Sequence, residues 1–308
     1  MRRKLSNTRK ADPEQRFIGC GDLHAAKNKP RYRIDPYWET WQGKMRWVIN
    51  YANEVGARLL IAGDIFDTSR VSPDVTNIVL EIFLEAYDVP YVVAGQHDLK
   101  YHTDLDKCPL YTLALAGAVK IIDRFEEFTG AGFGQPIPEE ANKFLITHTT
   151  ITEGDPPFFL PDAIAAKKFM RQHQQYDIII SGDYHVPFSV KLGKQLLINT
   201  GTLIRNKKDM HGYHPYIWDI TTGGGNPTKV ERIEVPHERF SNVFDLEGIE
   251  YDKDHGIVID TKRLKELIDS GVENNDLTSI VRTIFKTMVA DGVHINKTLV
   301  NEVLEQCT

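Results

Sequence analysis

Five times between residues 17 and 185, a short apolar run stops at a Gly, Asp or His. Phe17-Ile18-Gly19-Cys20 leads into Asp22-Leu23-His24, and Leu59-Leu60-Ile61-Ala62 leads into Gly63-Asp64. Tyr91-Val92-Val93-Ala94 leads into Gly95-Gln96-His97-Asp98. Phe144-Leu145-Ile146-Thr147 reaches His148, and Ile178-Ile179-Ile180-Ser181 reaches Gly182-Asp183-Tyr184-His185. Short runs without polar alternation are the pattern of strands buried on both faces. Such strands need helices to cover them. Trp38, Trp41, Met45, Val48, Ala52 and Val55 recur at three- and four-residue spacing and predict a helix over 37–55, stopped by Gly56. These tryptophans read as core rather than as a base-stacking platform. Ser72-Pro73 opens a second helix with a stripe of Val75, Ile78, Val79, Ile82 and Phe83. A further helix is expected near 161–175. In sheets built with such crossovers, ligands gather outside the carboxyl ends of the strands.

After residue 185 the texture changes to short strands at 188–191, 196–199, 216–220 and 229–235, with a Gly/Asn/Pro turn at 223–227. They predict a second, mostly antiparallel sheet packed on the first. The reading divides the chain into a flexible basic arm (1–16), a main domain (17–236) and a small, acidic, mostly helical subdomain (237–308). Its helices are expected at 261–270, 277–290 and 296–306, and its charge is 14 acids against 8 bases. The overall charge of −6 does not advertise nucleic-acid binding, so any such surface would be local. Cys20, Cys108 and Cys307 are too scattered for a disulfide frame and fit a reducing cytosol. No apolar run approaches the ~18 residues of a membrane span, and no secretory signal is present, so a cytoplasmic protein without a membrane partner is expected.

The five segments offer carboxylate, amide oxygen and imidazole, the donors that hard and borderline divalent metals take, and no cysteine. Alternation along an extended segment would point Asp22 and His24 to one side, and likewise Asp183 and His185. Each motif is weak alone. All five, each at a strand end, predict a metal site.

This order of motifs resembles the calcineurin-like metallophosphoesterases, whose pattern is D-x-H, G-D, G-N-H-D, H and G-H-x-H. The resemblance covers roughly residues 17–235. Gly63-Asp64-Ile65-Phe66-Asp67, followed by Ser69-Arg70-Val71-Ser72-Pro73, is similar to a stretch of the SbcD-type DNA repair nucleases (the Mre nuclease subunits) and their phage relatives. Asn199-Thr200-Gly201-Thr202-Leu203-Ile204-Arg205 is similar to the superfamily's run after the last metal motif. The resemblance implies an α/β fold, a two-sheet α/β/β/α sandwich with a small C-terminal helical subdomain. It also implies two divalent ions, manganese first and magnesium second. Asp22, His24, Asp64 and His185 would hold one ion. Asp64, Gln96, His148 and Asp183 would hold the other, and a water between the two would attack phosphorus in line. His97 would stabilise charge or protonate the leaving oxygen, and Asp98 would orient His97. Arg70 and Arg205 stand open between phosphate contact and structural ion pairing. The implied partners are DNA and an SMC-like ABC ATPase, with a homodimer as a further possibility.

Two positions depart from the family pattern: Gln96 replaces its Asn, and Asp183 replaces its first His of G-H-x-H. Both fall on the same ion, which reads as one coordinated change. The leading expectation is a manganese-dependent DNA nuclease acting in recombination, repair or end processing. The alternatives are a phosphomonoesterase or nucleotide phosphodiesterase with the same chemistry, and a catalytically weak scaffold that binds DNA ends or a partner.

Overall fold

The computed structural model describes residues 14–122, 124–125, 128–139, 143–157, 160–207, 210–224, 226–245, 250–251 and 258–259. The helices expected beyond 260, and most of the basic arm, lie outside the described residues. In chain order the first half runs β1 (Gln15–Cys20), α1 (Tyr37–Glu54), β2 (Arg58–Ile61), α2 (Pro73–Leu84), β3 (Tyr91–Val92) and α3 (Pro109–Leu115). Then follow β4 (Lys120–Ile121), β5 (Arg124–Phe125), β6 (Phe128–Ala131), β7 (Phe144–His148), β8 (Ile151–Thr152), β9 (Ile164–Ala165) and α4 (Ala166–Gln172). The chain continues through β10 (Ile178–Gly182), β11 (Phe188–Leu192), β12 (Gln195–Asn199), β13 (Tyr216–Gly223), β14 (Asn226–Glu234) and α5 (Phe240–Val243). A small pair, β15 (Glu250–Tyr251) and β16 (Val258–Ile259), ends the description.

Two six-stranded sheets form, in the orders β14-β13-β1-β2-β3-β4 and β11-β12-β10-β7-β6-β5. Residue alternation assigns each side chain to a layer. Phe17, Leu60, Phe144, Ile146, Ile178 and Ile180 point between the sheets. Their neighbours Ile18, Leu59 and Ile61 point outward to α1, α2 and α3. Leu145 and Ile179 point outward to Phe169 and Met170 of α4. The result is the expected α/β/β/α sandwich, in which each fully buried Leu or Ile contributes about 1.5–3 kcal/mol.

The late strands do not make a sheet of their own. β13 and β14 extend the first sheet, because β13 pairs antiparallel with β1 from Gln15↔Thr222 to Gly19↔Trp218. β11 and β12 extend the second, with β12 parallel to β10. The pairing draws in part of the basic arm: Gln15 and Arg16 open β1, and the Arg16 guanidinium meets Asp219 Oδ2 at 2.6 Å. The helix expected at 161–175 shrinks to α4, since Ile164 and Ala165 pair with Ile151 and Thr152 instead. No described helix is long and apolar enough to cross a membrane.

Beside α1 lies a group of buried cations. Arg33 donates to the Arg205 carbonyl at 2.6 Å and pairs with Asp35 at 2.6 Å. Lys44, 7% exposed, donates to the Leu203 carbonyl at 3.0 Å. Burial, with Arg205 and Arg33 nearby, lowers the Lys44 pKa from 10.5 to about 7. Below pH 7 the lysine is charged in both folded and unfolded chains, and the burial penalty is full. Between the two values only the unfolded chain keeps the proton, so stability rises with pH by up to about 1.4 kcal/mol per unit. The difference in unfolding free energy between the unmodified protein and Lys44→Met should therefore climb from pH 7 to 9.5 in urea titrations. A flat difference would contradict the burial of a lysine there.

Candidate metal centre

The parallel register brings the carboxyl ends of the strands into step, Cys20 beside Ile61 and Ile61 beside Val92. Gly182 stands beside His148 in the second sheet. The loops beyond β1 and β2 are then zipped together: Asp22 N–H donates to Gly63 O, Leu23 and His24 N–H to Asp64 O, and Ala25 N–H to Ile65 O. Asp22, His24 and Asp64 in these loops, and Asp183 just after β10, have positive φ, of 49°, 47°, 49° and 81°. The expected extended alternation is therefore not what aims these side chains; left-handed turns do. Such backbone costs of order 1–3 kcal/mol per residue, and Asp and His tolerate it better than most. Glycines clear the space. A Cβ on Gly95 would collide with the carboxylate and backbone of Asp64, and one on Gly63 (φ 93°) with the His148 ring.

Asp64 is central. Its Oδ1 accepts the His97 backbone N–H at 2.9 Å, and its Oδ2 lies 3.4 Å from His148 Nε2, 3.9 Å from His97 Nε2 and 4.0 Å from His24 Nε2. On one side Asp22, His24 and His185 converge, with His24 Nε2 and His185 Nε2 3.2 Å apart and His185 Nε2 3.7 Å from Asp22 Oδ1. On the other side Asp22, Asp64 and His148 converge. Asp22 thus borders both groups, a position its sequence motif did not suggest. A group of His214, Glu234 and His237 shares no residue with this centre.

Gln96 and Asp183 are joined directly. Gln96 Nε2 donates to Asp183 Oδ1 at 2.7 Å, and the Thr150 hydroxyl donates to Asp183 Oδ2. The amide of the longer Gln reaches the carboxylate that stands where the family has His, so the two departures form one hydrogen-bonded unit. Thr150 carried no sequence signal. Asp67 stood in the Gly63–Asp67 stretch without an assigned role; its carbonyl lies 2.7 Å from His97 Nδ1 and its carboxylate 3.5 Å from His24 Nδ1.

The donor set fits divalent cations. Among the described residues, five buried side-chain nitrogens or oxygens have no hydrogen-bond partner, and four belong here: Asp64 Oδ2, His148 Nε2, Gln96 Oε1 and His24 Nδ1. Buried polar atoms are seldom left so, because each costs about 1–3 kcal/mol. The electrostatics of the histidines show the same demand for positive charge. Burial opposes charging His24, yet the carboxylates of Asp67, Asp64 and Asp22 push it up to about 9. Burial likewise opposes charging His148, and Asp64 raises it well above the usual value. His185 is held well below that value by burial and by His24. Asp22 is lifted to about 7, chiefly by burial.

Asp98 departs from its expected role. It makes no hydrogen bond to His97. Its carboxylate is fully buried and accepts N–H bonds from Phe66 at 2.9 Å, Gly95 at 3.0 Å and Ile65 at 3.3 Å, bracing the loops that carry Asp64 and Gln96. His97 is oriented instead by the Asp67 carbonyl. Arg205 is 4% exposed, donates to the Glu238 carbonyl and lies over the Phe240 ring, so of its two readings the structure gives the structural one. Arg70 is exposed on the loop before α2.

Two outcomes follow from this bracing. Asp98→Asn should lower unfolding stability by about 1–3 kcal/mol, read by denaturant titration, because an N–H donor loses its acceptor. Orientation of His97 alone would leave stability unchanged. Gly95→Ala should weaken divalent-cation binding about 10–100-fold by displacing Asp64, read by titration calorimetry with Mn²⁺.

The calcineurin-like phosphoesterase family matches residues 15–187. The DNA double-strand break repair protein Mre11 of Methanosarcina mazei is 23% identical over 251 residues, covering 74% of this chain and 39% of that protein. The chain thus spans about two fifths of that relative's length. Among solved structures, a novel archaeal phosphodiesterase is similar at 14% identity, covering 72% of this chain and 100% of the other, with a TM-score of 0.40. The protein TT1561 of Thermus thermophilus is similar at 11% identity, covering 73% and 100%, with a TM-score of 0.45. With the metal-fitting donors carried at the strand ends between Asp22 and His185, the chain belongs to the calcineurin-like phosphoesterase family.

Proposed function

We propose that this chain is a phosphodiesterase that cleaves DNA with manganese. The observation that carries the chemistry is the group of unpartnered buried atoms Asp64 Oδ2, His148 Nε2 and Gln96 Oε1. Asp22, His24, Asp64 and His185 would hold one cation, and Asp64, Gln96, His148 and Asp183 the other. Bound there, divalent cations polarise phosphate oxygens and make a nucleophile available at neutral pH. The chain's own residues do the rest. His97 is half-exposed, and its Nδ1–H donates to the Asp67 carbonyl, which turns Nε2 toward Asp64. In its charged form His97 carries a proton on Nε2, where it can pass to the departing oxygen. Asp98 keeps the Asp64 and Gln96 loops in place from beneath.

DNA as substrate is supported by the likeness to Mre11 and by the segment from Gly63 to Pro73. Arg70, exposed three residues beyond the Asp67 that orients His97, is the residue proposed for a phosphate contact. An SMC-like ATPase docking on residues 237–308 belongs to the same reading. A second reading, hydrolysis of a nucleotide or another small phosphoester, is favoured by a cavity of about 420 Å³ that opens on Gln96 and Asp183.

Labelled single- and double-stranded oligonucleotides, incubated with Mn²⁺, Mg²⁺ or chelator, test the proposal. Mn²⁺-dependent cleavage is expected, with His97→Ser slower by about 10²–10⁴-fold and Asp64→Ala inactive. DNA left intact with Mn²⁺, with or without the ATPase, would sink the nuclease reading. Turnover of p-nitrophenyl phosphate or cyclic nucleotides far above that of DNA would favour the second.

A further inference from the structure

The cavity beside Gln96 and Asp183 has a composition that the phosphate chemistry does not require. Its volume of about 420 Å³ lies in the range of ligand pockets, ~300–1,000 Å³. Gln96 and Asp183 line it on the side of the metal centre, and His102, Phe133, Leu160 and Asp162 line the rest. The His102 and Phe133 rings stand 6.1 Å apart at 57°. His102 is held in place, since its Nδ1 lies 3.1 Å from the Gln96 carbonyl in the loop that supplies a metal donor. Its backbone is left-handed, as is that of Tyr101, at φ 59° and 57°. For a bulky residue such as Tyr101 this is a rare conformation. Tyr101 is 69% exposed, with Lys100 Nζ 5.2 Å from its ring centre.

We propose that this cavity binds the unpaired base of the nucleotide whose phosphate lies at the metal centre, packed against the Phe133 and His102 rings. Aromatic and apolar walls suit a flat heterocycle. The Asp162 carboxylate on the wall away from the metal centre can accept hydrogen bonds from its ring or exocyclic N–H groups. The same carboxylate repels a second phosphate, so the cavity is unsuited to a continuing backbone. A base reaches it only when unstacked and unpaired. The substrate class is therefore a free nucleotide ester, a strand end or a single strand, rather than the interior of a duplex. This inference rests on the phosphoesterase reading above and deepens it.

Calorimetric titration of the Mn²⁺-loaded protein with dAMP and with 2-deoxyribose 5-phosphate, which lacks the base, separates the cavity from the metal centre. dAMP should bind about tenfold more tightly, the scale of one stacked base. The excess should vanish in His102→Ala and shrink in Phe133→Leu, with deoxyribose 5-phosphate binding unchanged in both. Phe133 also packs against the core beneath the helices, whereas His102 is exposed, so His102→Ala reads the cavity without threatening the fold. Equal affinity of the two compounds for the unmodified protein overturns the proposal, as does an excess that survives both substitutions. Failure of both compounds to bind overturns it too. Base-dependent binding without turnover of any phosphoester overturns the phosphoesterase reading and leaves the cavity assignment standing. Turnover without base preference does the reverse.

Discussion

The Asp64 residue ties together three loops that the parallel strand register brings side by side. Its carbonyl takes the N–H groups of Leu23 and His24, and its Oδ1 takes that of His97. Its Oδ2 is left facing His24, His97 and His148. A fully buried carboxylate is costly unless charge and hydrogen bonds compensate it. Here each compensating group is itself part of the site, so the need to satisfy one anion organises the rest. Histidine charge keeps the Asp64 pKa below the usual carboxylate range despite burial. Asp98 repeats the device one layer down, exchanging imidazoles for three backbone N–H groups.

This arrangement needs a rigid frame, and the sandwich supplies it. Phe17, Phe128 and Phe144 meet edge to face or tilted between the sheets, with centroids 5.1 to 5.3 Å apart. They lock the first sheet against the second, and with them the loop of Asp22 and Asp64 against the strands of His148 and Asp183. Donors from both sheets are thereby held in one frame by close packing at that interface.

The buried cations beside α1 serve a separate end. Arg33, Lys44 and Arg205 each donate to a backbone carbonyl, at Arg205, Leu203 and Glu238 respectively. They fasten the loop after β12 to the helix layer and to the start of the acidic C-terminal segment. There Ile34 N–H donates to Val243 O and Asp245 N–H to Tyr32 O. The departure after residue 236 is therefore a packed junction at least as far as Asp245. The Leu203 loop is continuous with Thr202, whose hydroxyl donates to the Asp22 carbonyl, so the cation cluster also steadies the loop of Asp22.

Much of this was legible in the chain. The apolar runs at 17–20, 59–62, 144–147 and 178–181 announced strands buried on both faces, and the polar residues at their ends come together in the folded chain. Those features are local, since periodicity and residue chemistry are carried in short stretches. Sheet membership was not legible, because β13 and β14 join β1 through pairing across some two hundred residues. The roles of Asp98, Asp67 and Thr150 were not legible either: each is set by which backbone or side-chain group lies opposite in the folded chain. The sequence by itself determined that carboxylates, imidazoles and one amide would gather at the strand ends. Only the tertiary structure decided how they divide the work, because left-handed turns aim the ligands and hydrogen bonds between distant loops choose their partners.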